Sequence, residues 1–202
     1  METGTVLDRT FFERDTVTVA RELLGTVLVF ERPAGVTSRV RIVETEAYVG
    51  PNDRASHASR GRTRRTEVMF GPAGHAYVFL IYGFHNCLNI VTEEINMPAA
   101  VLIRGGEPLQ NVEKRTDGPG RLCQALGIDR QFTGHDITMP PLYLQAERNL
   151  DPLDVESGPR VGVAYAGEWA TRPWRFWIRD NPWVSRPPRR NIGLGDASPG
   201  AV

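Results

Sequence analysis

The sequence predicts a single α+β domain in which strands outnumber helices, and three observations carry that reading. The 202 residues are 41% hydrophobic and 24% charged, a length and balance that suit one globular core. The apolar runs 40–48, 76–82 and 86–92 are short and carry the alternation or the bounding turns of strands. Helix start and stop signals flank only two segments.

The first helix is expected over Asp15–Leu24, with Asp15 as N-cap and Gly25 as the stop. Thr26–Phe30 reads as a strand, Pro33–Thr37 as a turn and Val40–Tyr48 as a second strand. In a regular strand Val40, Ile42, Glu44 and Glu46 share one face, and Arg41, Val43 and Thr45 the other. Two glutamates following two aliphatics are odd for a core face, and natural where that face runs out into a cleft. Gly50–Thr66 is a long polar loop, and such loops in compact domains are often functional. The runs Ala76–Tyr82 and Asn86–Thr92 are separated only by Gly83-Phe84-His85, the spacing of a hairpin. Ala99–Arg104 is another strand. A helix containing Leu122–Leu126 is introduced by Gly118-Pro119-Gly120 and stopped by Gly127. Later strands are expected at Leu142–Glu147, Arg160–Tyr165 and Trp174–Arg179. The domain is expected to span residues 1–185, with the Arg-, Pro- and Gly-rich stretch 186–202 a poorly ordered tail.

No run of 18 apolar residues is present, so no membrane span is expected. Residues 1–14 mix Glu, Asp and Arg with apolar residues, unlike a secretory signal, and an intracellular protein is expected. Cys87 and Cys123 lack metal-type spacing and sit in apolar company, which predicts buried free thiols. His57, His75, His85 and His135 form no cluster, so no metal is expected. The formal net charge is zero, which counts against nucleic acid until its distribution is considered. Arg54, Arg60, Arg62, Arg64 and Arg65 crowd one loop, and Arg186, Arg189 and Arg190 crowd the C-terminus. Such clusters can form a local phosphate-binding face, although two solvated loops would have the same composition.

The segment from Val40 to Arg104 carries the chemistry-bearing residues. It holds Ile42-Val43-Glu44-Thr45-Glu46-Ala47-Tyr48, then His57, then Ala76-Tyr77-Val78-Phe79-Leu80-Ile81-Tyr82-Gly83, then Asn89 and Arg104. A carboxylate, stacking aromatics, a purine-reading amide and an arginine are the parts needed to cut a base from DNA. Reaching a base in a duplex requires flipping the nucleotide out, at about a few kcal/mol, and an aromatic wedge must fill the gap. Tyr82, beside Gly83 at the hairpin tip, fits that task, although a half-buried strand tyrosine has the same spacing. Tyr48, His57 and Phe79 are candidates for stacking on the base. Either Glu46 or Glu44 could deprotonate a water, with Arg104 holding the carboxylate. Of 24 basic residues only Lys114 is a lysine, and it sits in a polar stretch. An amine for Schiff-base attack on the sugar is therefore scarce, which favours a water nucleophile.

These segments, in this order, resemble the alkyladenine (3-methyladenine) DNA glycosylase family. The resemblance extends through Gly118-Pro119-Gly120-Arg121-Leu122-Cys123-Gln124-Ala125-Leu126, Arg160-Val161-Gly162-Val163 and Ala166-Gly167-Glu168-Trp169-Ala170 to Trp183-Val184-Ser185. It implies a curved antiparallel sheet with flanking helices and a hairpin that projects into the minor groove, a fold also found in a C-terminal domain of formyltransferases. It implies that Glu46 is the general base, Tyr48 and His57 contact the purine, and Tyr82 intercalates. It further implies that Asn89 rejects guanine, and that Arg104 and the Val161 carbonyl hold the nucleophilic water. Phe79 stands where mammalian members carry a tyrosine, so stacking is kept while a hydroxyl is lost. The stretch from Glu107 to Gly118 is short for the family, removing possible DNA contacts. The expected partner is double-stranded DNA with damaged purines, acted on by a monomer without cofactor, metal or lyase step. Arg60, Arg62, Arg64 and Arg65 are the candidates for the DNA backbone. Two other readings use part of this set. A non-catalytic DNA-kinking module would need Tyr82 and the arginines alone, and a glycosidase of free nucleosides would need the pocket without the wedge.

Overall fold

The computed structural model describes residues 4–147 and 154–185; the stretch 186–202, expected to be a tail, lies outside them. A short helix α1 (Arg9–Phe12), capped by Asp8, precedes α2 (Thr16–Glu22). As expected, α2 begins at Asp15, whose carboxylate accepts the Thr18 amide at 2.8 Å. Strands β1 (Val27–Glu31), β2 (Thr37–Tyr48), β3 (Ala76–Ile81), β4 (His85–Thr92) and β5 (Ala99–Gln110) follow. Then come α3 (Pro119–Leu126), β6 (Leu142–Gln145), β7 (Val155–Gly158) and β8 (Arg175–Ile178). Pro119 sits in the first turn of α3, and Gly127 ends it in the left-handed region at φ 74°.

Every strand pairing is antiparallel, in the order β3-β4-β5-β2-β1-β6, with β8 joining β2 to β7. The sheet forks on β2. Its first half, Thr37–Arg41, pairs with β1, and Glu44–Glu46 pairs with β8. Arg160–Tyr165, expected to be a strand, is a turn leading into 3₁₀ turns over Ala164–Thr171. Gly162 lies at φ 78°, a left-handed conformation that extended pairing cannot accommodate.

The fork coincides with two bulges. From Ile42 to Glu44, β2 advances two residues while β5 advances one, from Gly106 to Gly105. One step on, from Glu44 to Thr45, β5 advances two, from Gly105 to Ile103. Val43 and Arg104 are the extra residues. A bulge reverses the in–out alternation of its strand, and this corrects the expectation that Val40, Ile42, Glu44 and Glu46 share a face. Val40 and Ile42 lie in the main core, and beyond the bulge Ala47 takes their side. Thr45 also turns toward the helices, donating its hydroxyl to the Ala20 carbonyl in α2 at 2.6 Å. Glu44 and Glu46 are thereby delivered to the opposite face.

The main core fills the helical side. Val19 and Ala20 of α2, Leu23 at its C-cap, and Leu122, Cys123 and Leu126 of α3 join Ile42, Val78, Leu88, Ile90, Val101 and Ile103. Cys87 and Cys123 are buried free thiols, as expected. Among the described residues no helix is long and apolar enough to cross a membrane.

Gly106 allows β5 to cross close above this core. A Cβ there would lie 2.1 Å from Val40 Cγ1 and 3.2 Å from the Arg41 carbonyl oxygen, so the buried Val40 side chain would have to shift. Gly106→Ala is expected to lower unfolding free energy by about 1–3 kcal/mol, read from urea denaturation.

Candidate active site

The residues with chemical potential form a row across the face opposite the helices. Glu46 on β2 pairs with Leu102 on β5, Leu102 with Asn89 on β4, and Asn89 with Tyr77 on β3. Three steps of about 4.8 Å set a distance of roughly 14 Å from carboxylate strand to aromatic strand.

The two glutamates on this face have different surroundings. Both are wholly buried. Glu44 Oε1 accepts from Arg104 Nε at 3.0 Å and from Arg175 Nε at 2.7 Å, while Oε2 accepts the Ser185 amide at 2.6 Å. Arg104 Nη2 also donates to Ser185 Oγ at 3.1 Å, and Arg175 Nη2 to the Ser185 carbonyl at 2.6 Å. Glu44 is thus the anchor of a closed ionic network. Glu46 has weaker cationic company. Its Oε1 accepts the Val161 amide at 2.6 Å, and its Oε2 accepts the Tyr48 hydroxyl at 2.9 Å and Arg104 Nη1 at 3.4 Å. Burial pushes the Glu46 carboxyl above its ordinary value of 4.5; Arg104, the Val161 amide and the Tyr48 hydroxyl pull the other way. Burial, and then the neighbouring Glu46 charge, hold the Tyr48 phenol well above its ordinary value, so it remains a donor.

The aromatic end of the row is a cluster of rings. His57 opens a 3₁₀ turn, and its ring meets Phe79 edge-on at 4.4 Å between centroids. Its Nδ1 lies 3.1 Å from the Tyr77 hydroxyl, and Arg65 Nη2 lies 3.5 Å from its Nε2. Burial, then Arg65 and Arg60, lower the His57 pKa to about 4, leaving the imidazole neutral near neutral pH. Asn89 is held in place by its own amide, which donates to the Tyr77 carbonyl at 3.1 Å and the Cys87 carbonyl at 3.3 Å.

Tyr82 stands at the hairpin tip, 82% exposed, with φ 53° beside Gly83 at φ 80°. A non-glycine residue in the left-handed region is uncommon, and Gly83 takes the second such position without a side-chain penalty. The four loop arginines do not behave alike. Arg65 lies over Phe79 at 5.3 Å, and Arg62 is bound to Glu67 and Asn96. Arg60 and Arg64 are exposed.

Sequence reasoning therefore named residues that the fold gathers into two groups, Glu46–Tyr48–Arg104–Val161 and His57–Phe79–Asn89, with Tyr82 apart on the tip. It missed Tyr77, Arg175, Ser185 and the buried pair Asp53–Arg160. Tyr77 shares the strand parity of Phe79 and was within reach of that argument. The others are joined across more than a hundred residues, or sit at a loop end with no periodicity to mark them.

The chain belongs to the methylpurine-DNA glycosylase family, whose model matches residues 10–182. A provisionally named 3-methyladenine DNA glycosylase of Myxococcus xanthus is 51% identical over 185 residues, covering 90% of this chain and 94% of the relative. Provisionally so named as well are relatives from Methanocella arvoryzae, 49% identical over 90% of this chain and 96% of the relative, and from Legionella pneumophila strain Corby, 48% identical over 89% and 98%.

The contrast between the glutamates is measurable. Glu44→Gln leaves two buried arginines without their shared counter-charge and is expected to cost about 3–5 kcal/mol in chemical denaturation. Glu46→Gln, which removes a charge that burial already disfavours, should cost clearly less.

Proposed function

We propose that this chain is a monofunctional DNA glycosylase that flips alkylated or deaminated purines out of the duplex and hydrolyses their N-glycosidic bond with a water activated by Glu46. The observation that carries the proposal is Glu46 itself. It is a fully buried carboxylate held by three hydrogen-bond donors, at one end of a row that finishes in a ring cluster.

In this reading the base enters between Tyr48 and the His57–Phe79 cluster. Electron-rich rings attract a cationic alkylpurine by about 0.5–2 kcal/mol, and a neutral His57 adds no opposing charge. Asn89, locked by its two carbonyl partners, cannot rotate away from the exocyclic amine of guanine. Glu46 takes a proton from the water that attacks the anomeric carbon, and its charge stabilises the positive charge developing on the sugar. Arg104 and the Val161 carbonyl position that water. Arg104 belongs on both sides of the design, since Glu44 fixes its Nε and leaves Nη1 for Glu46. Tyr82 fills the vacated stack, and Arg60, Arg62, Arg64 and Arg65 supply candidate contacts to phosphates. The acting species in this reading is a monomer. A DNA-kinking module would use Tyr82 and the arginines but gives no reason to bury Glu46 against three donors.

Single-turnover assays on labelled duplexes carrying hypoxanthine, ethenoadenine or 3-methyladenine test the reading, with strand cleavage expected only after alkali. Glu46→Gln should lower excision by at least about 100-fold while lesion binding persists; excision at the wild-type rate would refute the mechanism. The base must be ionised, and burial raises its pKa. The wild-type rate should therefore climb with pH through a midpoint above 4.5, a limb that vanishes in Glu46→Gln. Tyr82→Ala should slow excision in duplex far more than in single strands, and equal losses would argue against the wedge. Asn89→Ser should raise activity on guanine lesions relative to adenine lesions, measured as a ratio of rates.

A further inference from the structure

Arg160 and Asp53 form the most deeply buried ion pair among the described residues, both side chains being wholly inaccessible. Arg160 donates Nη1 and Nη2 to the two Asp53 oxygens. The same guanidinium donates to the Ala47 carbonyl at 2.8 Å and the Trp169 carbonyl at 3.2 Å. It lies 4.7 Å from the centroid of the Tyr48 ring and 5.1 Å from that of Trp174. Asp53, for its part, accepts the amides of Val49 and Ala55 at 3.2 and 3.0 Å. One ion pair therefore ties together the end of β2, the loop leading to His57 and the turn that follows β7.

Neither member touches Glu46. Yet two of the three donors to Glu46 depend on where Arg160 lies. Tyr48 has its ring against the guanidinium, and Val161 is the next residue in the chain, its amide 2.6 Å from Glu46 Oε1. A guanidinium is suited to this because its planar fork binds a carboxylate in a fixed geometry while its face stacks on an aromatic ring. Resting on the function proposed above, we infer that Arg160, held by Asp53, is a positioning residue for excision. It fixes the Tyr48 hydroxyl and the Val161 amide on Glu46 so that the carboxylate is ionised and aimed when the water arrives.

Hydrogen bonds from Tyr48 and Val161 favour the ionised Glu46, so loosening them moves its titration to higher pH. In Arg160→Lys, which keeps the charge but loses the fork and the stack, the acid limb of single-turnover excision of hypoxanthine from duplex DNA should move up by about one pH unit. The rate at neutral pH should fall about 10- to 100-fold, with the half-saturating enzyme concentration unchanged within about threefold. Arg160→Met should show the larger rate loss, and Lys should recover part of it. Asp53→Asn supplies a second route to the same limb shift should Arg160→Met fail to fold, as judged by circular dichroism. Tyr48→Phe keeps the ring and removes one donor, so it should shift the limb by itself, and Arg160→Lys should add less in that background than alone.

An acid limb unmoved in Arg160→Lys and Asp53→Asn, with the rate intact or lowered equally at every pH, would overturn the inference and leave the pair a structural tie. Full additivity of Arg160→Lys and Tyr48→Phe shifts would overturn it too. The two readings fail separately. A wild-type protein that yields no abasic product removes the glycosylase reading and this inference with it. A wild type with a Glu46-dependent limb that Arg160 does not influence removes this inference alone.

Discussion

A carboxylate and an arginine inserted into the centre of a sheet constrain everything around them. Taking Glu44 and Arg104 out of water costs several kcal/mol per ion, and only close, directional partners offset it. The fold meets that demand by convergence: Arg104 from β5, Arg175 from β8 and the Ser185 backbone from the chain's last described turn all meet one carboxylate. Such convergence requires β2 to change neighbours where it carries Glu44, which is where the sheet forks from β1 to β8. The bulges at Val43 and Arg104 are part of the same solution. They turn both side chains to one face and leave the helical face to apolar packing.

With that network closed, Glu46 can be treated differently. Glu44 shares two guanidinium Nε donors and a backbone amide; Glu46 has one longer contact to Arg104 and two neutral donors. The result is a carboxyl group that burial pushes upward and its donors restrain, which suits the general base proposed for it. Two glutamates on one face, two residues apart, thus have different surroundings: one is held by two arginines and a backbone amide, and the other, the proposed base, by a longer arginine contact and two neutral donors. The same economy governs Arg160 and Asp53. Their mutual neutralisation allows a cation to sit behind Tyr48 with its charge matched by a carboxylate that also holds the loop preceding His57.

The hairpin obeys a different rule, because it keeps its aromatic side chains in solvent. Tyr82 and Phe84 are 82% and 69% exposed, and Tyr82 adopts a left-handed backbone conformation beside Gly83. Aromatic rings left in solvent can gain burial against another apolar surface, and the proposed wedge would find one in the stacked bases of a duplex. Behind the tip, His85 packs onto α3 at Gly120, where an added Cβ would lie 3.1 Å from the imidazole. The Gly118-Pro119-Gly120 segment that starts the helix therefore also supports the hairpin.

The sequence by itself determined the local elements and the cast of residues. Asp15, Gly25, Pro119 and Gly127 mark helix ends because the unsatisfied groups there need those residue types. The hairpin follows from two apolar runs around Gly83. The order of Glu46, Tyr48, His57, Phe79, Tyr82, Asn89 and Arg104 identified the family. Tertiary structure decided what those residues do to one another. Alternation over a regular strand placed Glu44 and Glu46 beneath Val40 and Ile42, and the reversal comes from one extra residue on each of two paired strands, which no single strand's pattern reveals. Arg160–Tyr165 reads as a strand by composition, yet Gly162 and the 3₁₀ turns that follow deliver the Val161 amide to Glu46. Asp53 with Arg160, and Glu44 with Arg175 and Ser185, are separated by more than a hundred residues. Charge pairs of that kind leave no periodicity in a sequence, because the free energy that selects them arises only when folding removes both partners from water.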